Sequence, residues 1–116
     1  MTREFVRLFE FEKQCKHIGL SEDDVIGIEI TLLLNPNIGD LIRGTGGIRK
    51  LRYALQNRGK SSGARVVYVD FESFSKTYLL TLFTKGELDN LSQAERNELR
   101  ILVGILKDEL RKKGEK

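Results

Sequence analysis

An α+β fold is predicted by three features of the 116-residue chain: two helix-like segments near its start, strand-like runs in its middle, and a long helical stripe at its end. The expected order is β-α-α-β-β-β-α, an antiparallel-rich four-stranded sheet with two N-terminal helices and one C-terminal helix. Helices that flank a strand meander in this way are expected to cover one face of the sheet, leaving the other free for polar side chains. The length is that of one ordinary domain, residues 1–116, able to bury roughly 65% of the surface its unfolded form would expose.

Each element has its own signal. Residues 5–9, Phe-Val-Arg-Leu-Phe, are short, aromatic and β-branched, and read as an opening strand. Residues 10–16 read as a helix ending at Gly19, a residue suited to the left-handed position that closes a helix. Ser21-Glu22-Asp23-Asp24 supplies an N-cap with a carboxylate three residues on, and Val25, Ile28 and Leu32 recur at helical spacing, predicting a helix over 22–34. Asn35-Pro36-Asn37 ends it, because Pro36 has no N–H to donate and pushes Asn35 toward extended backbone. From Ile48 to Leu55 the period is that of a strand, with Ile48, Lys50, Arg52 and Ala54 on one face and Arg49, Leu51, Tyr53 and Leu55 on the other. Arg49 is the misfit on the apolar face.

Residues 57–63 carry turn chemistry, and 64–71 are dense in Val, Tyr and Phe, so the two strands should form an antiparallel hairpin. A four-residue loop over 57–60 would set Arg52 opposite Arg65 and Leu51 opposite Val66. Another strand is expected at 77–84. Ser92 and Glu95 then repeat the capping-box pattern ahead of a stripe made by Leu99, Leu102, Val103, Leu106 and Leu110. Gly27 and Gly104 fall inside helix patterns, where close packing is the ordinary reason for glycine.

Charge is distributed unevenly. Between Leu41 and Val69 stand Arg43, Arg49, Lys50, Arg52, Arg58, Lys60 and Arg65 without a single Asp or Glu, whereas the rest of the chain has thirteen Lys/Arg against seventeen Asp/Glu. Such a local field attracts phosphates. Like charges facing each other across a sheet are destabilising, so Lys50, Arg52 and Arg65 on one exposed face are most simply explained by an anion that sits there. The competing explanation is a solvated basic face.

Several motifs fail on inspection. Gly44-Thr45-Gly46-Gly47 begins like a dinucleotide fingerprint, but Arg49 stands where its third glycine belongs, and strand rather than helix follows. Gly59-Lys60-Ser61 resembles the end of a P-loop, but Ala54 occupies the position of its first glycine. Both read as turns. His17, the only histidine, leaves no second imidazole for a metal site or a paired-histidine nuclease, and Cys15, the only cysteine, allows no intramolecular disulfide and fits a reducing, cytoplasmic setting. Charges interrupt every apolar run near the N-terminus, so no secretory signal is read there, and no membrane span is expected.

The segment from Leu34-Asn35-Pro36-Asn37-Ile38-Gly39-Asp40 through Gly44-Thr45-Gly46-Gly47-Ile48-Arg49-Lys50-Leu51-Arg52, with Gly63-Ala64-Arg65-Val66-Val67-Tyr68 and Phe83-Thr84-Lys85, resembles the HigB-like branch of the RelE/ParE toxin superfamily. The resemblance spans Ser21 to Leu99 and implies a RelE-like fold. It also implies the toxin of a type II toxin-antitoxin pair, a metal-independent and cofactor-free endoribonuclease that cuts messenger RNA in the ribosomal A site. The implied partners are the ribosome and its message, and a cognate antitoxin of helix-turn-helix type through which alone operator DNA is reached; no membrane is involved.

The chemistry needs a base for the ribose 2′-hydroxyl, an acid for the leaving 5′-oxygen and positive groups at the phosphorane-like transition state. By the resemblance, Lys50, set among neighbouring cations, is the base, Arg52 and Arg65 hold the phosphate, and Lys85 contributes to the same site. Arg43, Arg49, Arg58 and Lys60 would bind RNA around it. The sequence departs from relatives at Gly86, where Arg or Asn is expected, and shows no counterpart near 87–91 of the tyrosine some relatives place on a base. Two alternatives stand beside this one: a ParE-like inhibitor of DNA gyrase that acts by binding alone, and an RNA-binding module without catalysis.

Overall fold

The computed structural model describes residues 2–55, 63–84 and 91–114. Phe5 and its neighbours form strand β1 (Glu4–Arg7), shorter than the expected 5–9, because helix α1 (Phe9–Ile18) starts one residue earlier than its charged stretch indicated. Glu10 and Glu12 favour its first turn through the helix dipole, and Gly19 (φ 90°) closes it in the left-handed conformation, donating its N–H to the Cys15 carbonyl at 2.8 Å. Helix α2 (Glu22–Leu34) has the expected bounds and a reciprocal capping box: the Asp24 N–H donates to Ser21 Oγ (3.1 Å) and the Ser21 N–H to the Asp24 carboxylate (2.9 Å).

After α2 the chain breaks at Pro36, as expected, and then forms a two-residue strand absent from the sequence reading, β2 (Asp40–Leu41). It is followed by β3 (Ile48–Tyr53), β4 (Ala64–Phe71), a short 3-10 turn (Glu72–Phe74), β5 (Lys76–Thr84) and α3 (Gln93–Gly114). Among the described residues the sheet therefore has five strands rather than four, in the order β1-β5-β4-β3-β2, with β1 parallel to β5 and every other pair antiparallel. A strand of two residues has no alternation to detect. It exists because the Gly44–Gly47 turn folds it onto β3: Gly44, Gly46 and Gly47 all have positive φ, and buried Thr45 donates its hydroxyl to the Ile42 carbonyl (2.7 Å) while accepting from the Ile48 N–H (3.1 Å).

Both faces of the sheet are covered, which corrects the expectation of one open face. On one side, Phe11 and Cys15 of α1 and Val25, Ile28 and Leu32 of α2 pack on Leu51, Val66, Tyr68, Leu79 and Leu82. On the other, Val103 and Leu110 of α3, supported by Leu99, Leu102 and Leu106, pack on Ile48, Val67, Val69 and Leu80. The apolar stripe of the last helix is thus core. A register shift opposite Val67 and Tyr68 passes over Leu80, so that Thr81 and Phe83 come to the same side of the sheet as Tyr78 and Leu80, while Leu79 and Leu82 serve the other. Gly27 meets the expectation of close packing, since a Cβ there would run into the Tyr53 hydroxyl, but Gly104 does not: nothing lies within 4 Å of the position its Cβ would take.

At the end of the sheet away from the β3–β4 loop, Arg3 and Asp70 form a bidentate ion pair with both contacts at 2.6 Å, and Thr77 Oγ1 donates to the same carboxylate at 2.7 Å. Arg7 ties β1 to α2 through Glu29 and Glu22.

Candidate functional site

Strand register assembles the cationic residues. Arg52 is directly opposite Arg65 and Leu51 opposite Val66, the pairing expected for a four-residue loop, although that loop, with Arg58 and Lys60, lies outside the described residues. Across the sheet this row reads Arg52, Arg65, Phe83, and the adjacent row on the same face reads Asp40, Lys50, Val67, Thr81. Two residues of strand separate the rows, about 7 Å. Among the described residues the side chains of Lys50, Arg52 and Arg65 make no hydrogen bond or ion pair, while Arg3 and Arg7 elsewhere are fully engaged with carboxylates.

α3 leaves this corner accessible. Its buried contacts lie over Ile48, Val67 and Val69, so Arg52 stays exposed and Arg65 half-buried. Between the helix's first turns, β2 and the Lys50 row lies a groove of about 640 Å³. Its floor is apolar, with Val67, Phe83, Leu99 and Leu102, and its rim bears Arg43, Lys50 and Arg96 together with Asp40, Glu95 and Glu98.

The expected site residues divide accordingly. Lys50, Arg52 and Arg65 share one corner, and Arg43 joins Lys50 at the groove. Lys50 does not have the purely cationic surroundings expected of it, because its cross-strand neighbours are Asp40 and Val67. Arg49 points to the other side of the sheet, where its Nη1 donates to the carbonyls of Gly39 (2.8 Å) and Asn37 (3.4 Å); it is occupied in holding the turn before β2. Lys85 and Gly86 lie outside the described residues, immediately after Thr84, which pairs with Ala64. His17 is exposed on α1, far from this corner in sequence.

Asp40, Arg96 and Glu98 of the groove escaped sequence reasoning about the site. Asp40 stands just before the acid-free run, and only its pairing with Lys50 brings it to the site. Arg96 continues the Leu99–Val103 stripe one turn toward the helix start, a periodicity that marks it as facing the sheet. The motif residues around them are largely structural. Tyr68, fully buried, accepts the Gly39 N–H (3.0 Å) and donates to the Pro36 carbonyl (2.8 Å), and a Cβ on Gly39 would come within 2.9 Å of the Tyr68 ring. Burial raises the Tyr68 phenol above its ordinary pKa, keeping it a donor. Among the described residues no group of His, Cys, Asp and Glu is arranged to hold a metal ion, and no helix is long and apolar enough to cross a membrane.

Fold and site together describe an α+β protein with a cationic corner, unpaired among the described residues, beside a half-apolar groove, a pairing of features that suits a phosphate-bearing ligand. No family model matches the chain. Among solved structures it is similar to the E. coli toxin RelE, determined in the free state with two arginines replaced by alanine: TM-score 0.52, 18% identity, covering 89% of this chain and 98% of that one. The chain has the RelE-like fold.

Proposed function

We propose that this protein is the toxin of a type II toxin-antitoxin module, a ribosome-dependent endoribonuclease that cleaves messenger RNA in the A site and is neutralised by a cognate antitoxin of helix-turn-helix type. The observation that carries this reading is the Arg52–Arg65 pair directly opposed across β3 and β4, with Lys50 one row away and no carboxylate engaging any of the three among the described residues. Two guanidinium groups held face to face repel unless an anion lies between them. The likeness in fold to the RelE toxin supports the same reading.

In this reading the ribose 2′-oxygen attacks the adjacent phosphorus, forming a 2′,3′-cyclic phosphate as the bond to the 5′-oxygen breaks. Lys50, the base that the family resemblance implies, takes the 2′-hydroxyl proton, Arg52 and Arg65 neutralise the non-bridging oxygens as charge builds on them, and the 5′-oxygen leaves as a hydroxyl with a proton drawn from water. Lys85 and Arg43 add positive charge along the path of the strand, and the chemistry calls for neither metal nor cofactor.

The test is to induce wild type and Arg65→Ala in bacteria and map the 5′ ends of messages by primer extension. Cuts inside codons that require translation are expected for wild type and absent for the variant, whose thermal midpoint should change little because the Arg65 side chain makes no hydrogen bond or ion pair among the described residues. Growth arrest with intact messages would overturn the nuclease reading and favour gyrase as the target.

A further inference from the structure

We propose that the groove between β2, the sheet and the first turns of α3 is a nucleobase pocket, which receives the base next to the scissile phosphate and reads its edge with Arg96. The inference rests on the RNA-cleaving reading above and adds to it a site on α3. Three observations carry it. The first is size and lining: about 640 Å³ falls within the roughly 300–1,000 Å³ of small-molecule sites, and an apolar floor of Val67, Phe83, Leu99 and Leu102 suits a flat heteroaromatic ring.

The second is charge. The Arg52–Arg65 row carries no carboxylate, whereas Arg96 and Glu98 give the groove both donor and acceptor at its rim, as a base edge requires and a phosphate does not. Lys50 lines the groove and also adjoins the Arg52–Arg65 row, so a nucleotide whose phosphate rests on the arginines has the groove beside it.

The third is the state of Arg96. Its Nε is covered from solvent with no acceptor among the described residues. A covered donor left without a partner is unfavourable, so an acceptor that draws the guanidinium into the groove relieves this and gains a forked pair of hydrogen bonds. The O6/N7 edge of guanine is the base edge that matches such a fork.

The test is calorimetric titration of the full chain with guanosine 3′-monophosphate and, separately, with inorganic phosphate, repeated on Arg96→Gln and Arg96→Lys with helix content checked by circular dichroism. Wild type is expected to bind the nucleotide about tenfold more tightly than phosphate, and both variants to lose that advantage while phosphate affinity stays within about twofold. Lysine keeps the charge and loses the fork, so a preference retained by Arg96→Lys and lost by Arg96→Gln would overturn edge reading in favour of simple charge. Equal affinity of wild type for nucleotide and phosphate, or a preference unchanged in both variants, overturns the pocket and leaves the cationic corner standing. Failure of wild type to bind either ligand overturns the pocket, whereas the RNA-cleaving reading is decided separately by the primer-extension experiment.

Discussion

Tyr68 illustrates how one side chain far from any ligand can set a site. Its buried hydroxyl bonds both Pro36 and Gly39, and Arg49 adds bonds to the Gly39 and Asn37 carbonyls from the neighbouring strand, so the turn that delivers Asp40 beside Lys50 is held from two directions. Tyr68→Phe leaves a buried N–H and a carbonyl without partners and should lower stability by about 1–3 kcal/mol, measured by urea unfolding. Gly39→Ala is expected to be worse, since the new Cβ would press on the Tyr68 ring and the Lys50 carbonyl. Cys15 shows the opposite kind of isolation. Burial pushes its thiol up to about 11, so it should resist alkylation by iodoacetamide at neutral pH until the protein is unfolded.

At the scale of elements, α3 has two duties that its sequence states separately. Its stripe is core, and its first turns wall the groove. The Ser92–Glu95 capping box holds that end: Glu95 N donates to Ser92 Oγ at 3.1 Å and Ser92 N to the Glu95 carboxylate at 2.9 Å. Ser92→Ala should cost about 1 kcal/mol and fray the first turn, which hydrogen exchange of the amides after residue 92 would report. Gly104→Ala, on an open face of the same helix, should raise stability by about 0.5–1 kcal/mol in thermal unfolding. How the helix is capped was readable from Ser92 and Glu95 alone. That it lies across the second face of the sheet was not, because a stripe of leucines specifies an apolar partner without saying which one.

Over the whole molecule, charge is sorted: a cationic corner at one end of the sheet, and the Arg3–Asp70 pair at the other, with side chains only 7% and 9% exposed. Asp70→Asn would strand the Arg3 guanidinium among buried neighbours and is expected to destabilise by about 3 kcal/mol, seen as a lower urea midpoint. Two carboxyls elsewhere should respond to acid. The Arg7 guanidinium beside Glu22, and the Ser92 N–H and hydroxyl beside Glu95, hold both carboxyls below their ordinary value of 4.5. Because their folded values lie below the unfolded ones, the stability they contribute is complete above that value and is lost as pH falls through the lowered one. A pH titration of unfolding free energy should therefore decline on the acid side and lose part of that decline in Glu95→Gln. If three phosphates' worth of charge is met by Lys50, Arg52 and Arg65, binding of single-stranded RNA should weaken with salt at a logarithmic slope near about −2.

The chain by itself determined what local physics decides. The αL closure at Gly19, the capping boxes at Ser21 and Ser92, the break at Pro36, and the alternation that sets Lys50 and Arg52 on one side and Leu51 on the other all depend on residues within a few positions of one another. Even the Arg52–Arg65 register is the one that an assumed four-residue loop predicts. Tertiary structure alone decided that β2 exists, that Arg49 is consumed by the turn before it, that Asp40 faces Lys50, that α3 closes the second face, and that Arg96 overlooks a groove. Each of these depends on contacts between segments distant in sequence, where burial and the pairing of backbone groups choose among arrangements that local preference leaves equal.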